Sequence, residues 1–186
     1  MNESSRIRDA VTASMDRGRG TESGVAIVGQ VTAELFDEHG VLKAREVVKN
    51  LVTSVGDRLY ASRGAGLSTS ALPTGMRLGT GGTAVAKSGA GAAIVTYLSG
   101  SNKAFDATFP SEAAGVVTYK RTYAAGEATT ASAITEVVIN TDTIANDNAT
   151  TATAANTVSR ALLTGIGSKG ASDTLTITWT HTILGA

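Results

Sequence analysis

Asp173-Thr-Leu-Thr-Ile-Thr-Trp-Thr-His-Thr-Ile-Leu184 alternates without a break. Leu175, Ile177, Trp179, His181 and Ile183 fall on one face. Thr174, Thr176, Thr178, Thr180 and Thr182 fall on the other, with the period of two that a pleated strand imposes. The stretch therefore predicts a strand with one apolar and one hydroxyl-bearing side. A scaffold surfaced with threonine and poor in catalytic side-chain types points to a building block before it points to an enzyme.

Working back toward the N-terminus, residues 24–35 carry the same period, with Val25, Ile27, Val31 and Leu35 on one face and Val28, Gln30, Thr32 and Glu34 on the other. Asp37-Glu-His-Gly40 reads as a turn and Val41 to Val48 as the returning strand of a hairpin. The period then changes. In residues 50–61, Val52, Val55 and Leu59 lie three and four apart, Asn50 or Thr53 can cap, and Arg63-Gly64 stops the run, which predicts one short helix.

Further strands are expected at Met76 to Leu78, Ala93 to Leu98, Lys103 to Phe109, Val116 to Tyr123 and Val158 to Leu163. Ile134 to Ile139 reads as the neighbour of 116–123. Residues 141–157 consist almost wholly of Thr, Ala, Asn and Asp and read as an exposed loop or insertion. Six to eight short strands, one helix and no βαβ alternation predict a mainly β fold: an antiparallel β-sandwich or flattened barrel over 24–186, preceded by an arm, 1–23. The arm holds four arginines and four acidic residues. Ile7, Ala10, Val11, Ser14 and Met15 fall at helical spacing there. It is either a solvated terminus or an assembly arm that orders against a neighbour through Ile7, Val11 and Met15.

The 186 residues suffice for one domain with appendages. With 16 basic against 16 acidic residues, no bulk charge draws the chain to nucleic acid or to an anionic membrane. Only 17% of residues are charged, which leaves a surface of small neutral residues suited to side-by-side packing. The absence of cysteine removes disulfides and thiolate chemistry. No segment reaches the ~18 consecutive apolar residues of a membrane helix, and no apolar export signal opens the chain; a soluble protein made in the cytoplasm is expected.

The motifs that could carry chemistry are weak. Gly79-Thr-Gly-Gly-Thr-Ala84 satisfies the dinucleotide fingerprint in form, and Gly81 to Ser88 nearly makes a phosphate loop around Lys87. Both need a helix to follow at once, and Ser88-Gly-Ala-Gly91 follows instead. A glycine-built turn beside a sheet is the better reading. His39 sits in the hairpin turn beside Asp37 and Glu38, and His181 lies in the apolar register of the last strand as a packed, hydrogen-bonded residue. Glu112, Glu127, Glu136 and Asp142 show no pairing for acid–base work. Lys120 and Arg121 between Tyr119 and Tyr123 form one basic-aromatic knot on an alternating strand. The sequons at Asn2 and Asn148 are expected by chance in so threonine-rich a chain. No catalytic, cofactor or metal residue is nominated.

The order of these segments resembles virion structural proteins of tailed bacteriophages. The resemblance rests on Phe36-Asp-Glu-His-Gly40, Asn50-Leu-Val-Thr-Ser-Val-Gly56, Met76-Arg-Leu-Gly-Thr-Gly-Gly-Thr83, Ile134-Thr-Glu136 and Asp173 to Trp179. It departs in the Ala/Gly run of 84–93, where a Pro-containing loop is expected, and in the 141–157 insertion. The resemblance implies a non-enzymatic subunit of the neck or collar, tail or baseplate, located in the virion and partnered by copies of itself and by other virion proteins in cyclic symmetry, without membrane or specific nucleic acid. Two alternatives accompany it: a capsid decoration protein, and a host-surface carbohydrate-binding module. The latter would want exposed aromatics, which make up only 4% of the chain.

Overall fold

The computed structural model describes residues 25–185; the 1–23 arm, with Ile7, Val11 and Met15, lies outside the described residues. Among the described residues, ten strands form two antiparallel five-stranded sheets, and one α-helix interrupts the run of strands. The fold is a mainly β sandwich, as the alternation predicted.

The first sheet is built on the two longest strands. β1 (Val25–Phe36) and β10 (Thr174–Gly185) pair over twelve residues, from Val25 opposite Gly185 to Phe36 opposite Thr174. β2 (Leu42–Lys49) returns beside β1 through a turn in which Asp37 Oδ1 accepts from the amides of His39 and Val41, and Gly40 takes a positive φ. β7 (Val116–Tyr123) pairs the other side of β10, and β6 (Ser111–Ala113) pairs β7. The second sheet runs β3 (Leu51–Val52), β9 (Thr157–Leu162), β8 (Glu136–Asn140), β4 (Gly75–Gly79) and β5 (Lys103–Ala104). Val31, Leu35, Leu175, Ile177 and Trp179 from the first sheet meet Met76, Leu78, Val137, Ile139 and Ala161 from the second in one core.

Several sequence-based assignments need correction. Residues 134–139 do not pair with 116–123; β8 lies in the opposite sheet, between β4 and β9. β9 and β10 belong to different sheets, so residues 163–173 cross the sandwich. Residues 93–98 form no strand, only a single bridge between Tyr97 and Gly79, and the 103–109 strand shrinks to two residues. The helix, α1 (Ser54–Gly64), is capped by Thr53, whose Oγ1 accepts from the Gly56 amide. Asn50 is not the cap, because β3 intervenes.

The sheets differ on their outer sides. β4 and β8 are buried along their whole length and β9 almost so, because residues 80–102 and 141–157 roof the second sheet. Two arginines pin that roof. Arg160 donates through Nη2 to Glu136 Oε2 at 2.6 Å and through Nη1 to the carbonyls of Thr83 and Gly91, and neither side chain is exposed. Glu136 also accepts the amides of Gly81, Val95 and Thr96. Arg77, equally buried, donates to Asp142 Oδ2 at 2.7 Å, to the Asn146 carbonyl and to Thr151 Oγ1, with its guanidinium over the Tyr97 ring. Partial burial works against the Asp142 charge, but the Arg77 and Asn146 bonds outweigh it and hold the carboxyl at about 2. The 141–157 tract is thus a half-buried cover containing two 3-10 turns, Ala149–Thr151 and Ala154–Asn156, and not the freely exposed insertion expected from its composition.

Replacing Glu136 by Ala strands the Arg160 charge and releases three backbone amides. We expect a loss of ~3–5 kcal/mol in denaturant unfolding and faster proteolysis within 80–96. Lys87→Ala, which breaks the half-exposed Lys87–Asp57 pair, should cost under ~1 kcal/mol.

Candidate functional site

The glycine cluster fails as a phosphate loop for a reason visible in its hydrogen bonds. The Gly81 amide that would face a phosphate donates instead to Glu136 Oε1 at 2.6 Å, and a Cβ on Gly81 would stand 2.1 Å from that oxygen. Lys87 turns away to Asp57, with Nζ at 2.8 and 2.7 Å from its two carboxylate oxygens. The other weak candidates also resolve. His39 is exposed beside Glu38. Tyr119 and Tyr123 point into the core, while Arg121 pairs with Glu127. Glu112 accepts the Gly115 amide. Among the described residues no group of three or more His, Cys, Asp or Glu side chains could hold a metal ion.

The feature with most potential for binding is a groove of about 930 Å³ where α1 and β3 face the ends of β1 and β10. Ala26, Ile27, Leu51, Val52, Ala61 and Ile183 give it apolar walls. Asp57, Arg63, Gly64 and Lys87 stand on the α1 side, and Asn50 and Tyr60 supply its remaining polar groups. A second hollow, of about 360 Å³, is smaller and lies between Ser54, Arg58 and Ser70.

Behind the groove lies a buried polar chain that sequence reading located only in part. His181, expected as a packed and hydrogen-bonded residue, is fully buried at the sheet end. The Asn50 amide donates to His181 Nε2 at 2.9 Å and also to Ser159 Oγ, and Ser159 passes its own proton to the Leu51 carbonyl at 2.9 Å. With Nε2 accepting, Nδ1–H donates to the Tyr60 oxygen at 2.5 Å, and the Tyr60 hydroxyl reaches Tyr119 Oη at 3.1 Å. The rings of Tyr60, Tyr119 and Trp179 stand edge-on to the imidazole.

Asn50 reaches this position because the chain crosses between the sheets there. Its side chain lies across Gly29, where a Cβ would fall 1.7 Å from Asn50 Oδ1, so glycine at 29 is a packing requirement. The signals available in the sequence were Gly29 inside a strand and Asn50 between two apolar runs. Neither names its partner, which is 131 residues away for Asn50 and His181.

Burial lowers the His181 pKa to about 4 and, together with Tyr119, raises that of Tyr60. At neutral pH the chain of groups is therefore uncharged. It offers the groove a phenol and an amide as hydrogen-bonding groups, and the wholly buried Ser159 presents no nucleophile. Comparison with known proteins adds no relative: no protein-family profile, curated protein or solved structure matches this chain.

The depressed His181 pKa gives a signed prediction. Between pH 6.5 and about 4 the unfolded histidine binds a proton that the folded one refuses, so stability is complete above pH 6.5 and falls as pH drops toward 4. The loss is ~3 kcal/mol, from ~1.36 kcal/mol per unit. The lowered carboxyl of Asp142, at about 2, titrates below this window. Denaturant unfolding of the parent and of His181→Gln across this range should show the parent's slope reduced in the variant; equal slopes would remove His181 as its source.

Proposed function

We propose that this chain is a non-enzymatic structural subunit of a tailed-bacteriophage virion, built into the neck or collar, tail or baseplate by contacts between copies and with neighbouring virion proteins. The observation that carries the reading is the uncovered outer face of the first sheet. Whereas the second sheet is roofed, the described residues leave this face open. It presents Thr174, Thr176, Thr178, Thr180 and Thr182 from the central strand, with Thr32 and Gln30 of β1 and Thr118 and Thr122 of β7 in register beside them. Val28 and Val47 extend it toward the β2 edge, at 52% and 46% exposure. Glu34, Arg45, Lys49 and Lys120 are its charged members.

Such a face has little charge to desolvate, and its hydroxyls can donate or accept, so it can be covered by a second surface at low cost. Among the described residues the outer side of β2 is unpaired, which adds a free strand edge. The ordered likeness to phage structural proteins supplies the class, and a closed ring is the natural way for copies to use one face repeatedly. A position on the capsid surface as a decoration protein belongs to the same class and would use the same face.

Light scattering on the purified full-length chain should give the mass of a closed oligomer, and Thr178→Lys should reduce that mass while leaving the unfolding transition in place. Deleting residues 1–23 should preserve the folded β-domain and abolish incorporation into particles in a complementation assay. A deletion that removes the unfolding transition would assign those residues to the core instead.

A further inference from the structure

The groove between α1 and the β1/β10 end has apolar walls, and the described residues leave it open. At least 24 residues precede β1 in this chain, and β1 opens on the groove: Ala26 and Ile27, the second and third residues of the strand, line it. We propose that in the free subunit the groove is occupied by the chain's own residues 6–17, with Ile7, Val11 and Met15 packed against Ile27, Leu51, Ala61 and Ile183.

Two matches support this occupant. The first is reach. Ten residues, 16 to 25, separate Met15 from the second residue of β1, and they span up to ~33 Å when extended, ample for a return to the groove. Gly18, Gly20 and Gly24 lie among them and ease such a reversal.

The second match is shape. Ile7, Val11 and Met15 recur at intervals of four, so in a helix they form one apolar stripe ~12 Å long, suited to lie along a groove. Because the segment is tethered, its effective concentration at the groove is in the millimolar range, so even weak contacts keep it seated.

This covered state is a property of the isolated subunit and does not depend on the virion reading. It would keep the apolar stripe from associating until a neighbour competes for it.

The absence of cysteine makes the test direct. Val11→Cys combined with Ala61→Cys, oxidised in dilute solution, should form mainly an intra-chain disulfide, read by non-reducing electrophoresis and peptide mass. Val11→Cys with Ala125→Cys is the control. Ala125 follows Tyr123, which pairs with Leu175, whereas the groove lies at the Thr182 end, ~20 Å along the sheet. The control should stay reduced. In a cysteine-free background, Val11→Asp should raise binding of the apolar dye ANS several-fold, with an unchanged circular dichroism spectrum.

Chiefly inter-chain disulfides would overturn the intramolecular assignment. Equal disulfide yield in both pairs would overturn the groove as the address. Dye binding that is already strong in the parent and insensitive to Val11→Asp would show the groove open to small apolar ligands instead.

Discussion

Two opposite charges with no exposure, Glu136 and Arg160, form the constraint around which half of this molecule is arranged. Removing each from water costs several kcal/mol, and mutual attraction alone does not repay that cost. The balance is restored by the main chain: three amides point at the carboxylate and two carbonyls at the guanidinium. The loop supplying those groups can leave only by giving up all five main-chain hydrogen bonds, with the ion pair itself left as compensation. Gly79 and Gly81 serve this arrangement, since a side chain at Gly81 would displace the carboxylate. Arg77, one strand over, is held less completely, with Nη2 alone donating to Asp142 and the Asn146 carbonyl.

This explains which parts of the fold could be read from the sequence. β10 and the β1–β2 hairpin were legible because each has one apolar and one polar face, so alternation survives as a pattern. β8, Glu-Val-Val-Ile-Asn, is buried on both faces, and its neighbours are set by contacts with strands distant in sequence. Alternation cannot reveal which sheet such a strand joins. The 141–157 tract misled for a related reason. Its Thr, Asn and Asp content looks solvent-seeking, but several of its polar groups are satisfied by Arg77 and Asn102 beneath it. Polarity of composition and exposure part company wherever a buried cation collects a loop's oxygens.

The polar chain behind the groove shows the same limit at smaller scale. His181 could be placed as a hydrogen-bonded interior histidine from its register alone. That its partners are Asn50, Tyr60 and Ser159 follows only from the crossing of the chain at 50–52, where two extended residues replace what reads as the first turn of a helix. Gly29 is the one local mark of this crossing, a strand glycine whose missing Cβ makes room for an amide from elsewhere.

The two sheets therefore meet different ends with the same residue chemistry. On the second sheet, outward polar side chains are ionic and find partners within the chain, so that face is closed to other molecules. On the first, the outward side chains are mostly threonine, whose hydroxyl costs little to desolvate and whose methyl contributes apolar area. A surface of that kind is stable facing water and equally stable facing a like surface. The contrast follows from covering the ionic side chains of one sheet with a loop while the described residues leave the other's threonines open, with Glu34, Arg45, Lys49 and Lys120 among them.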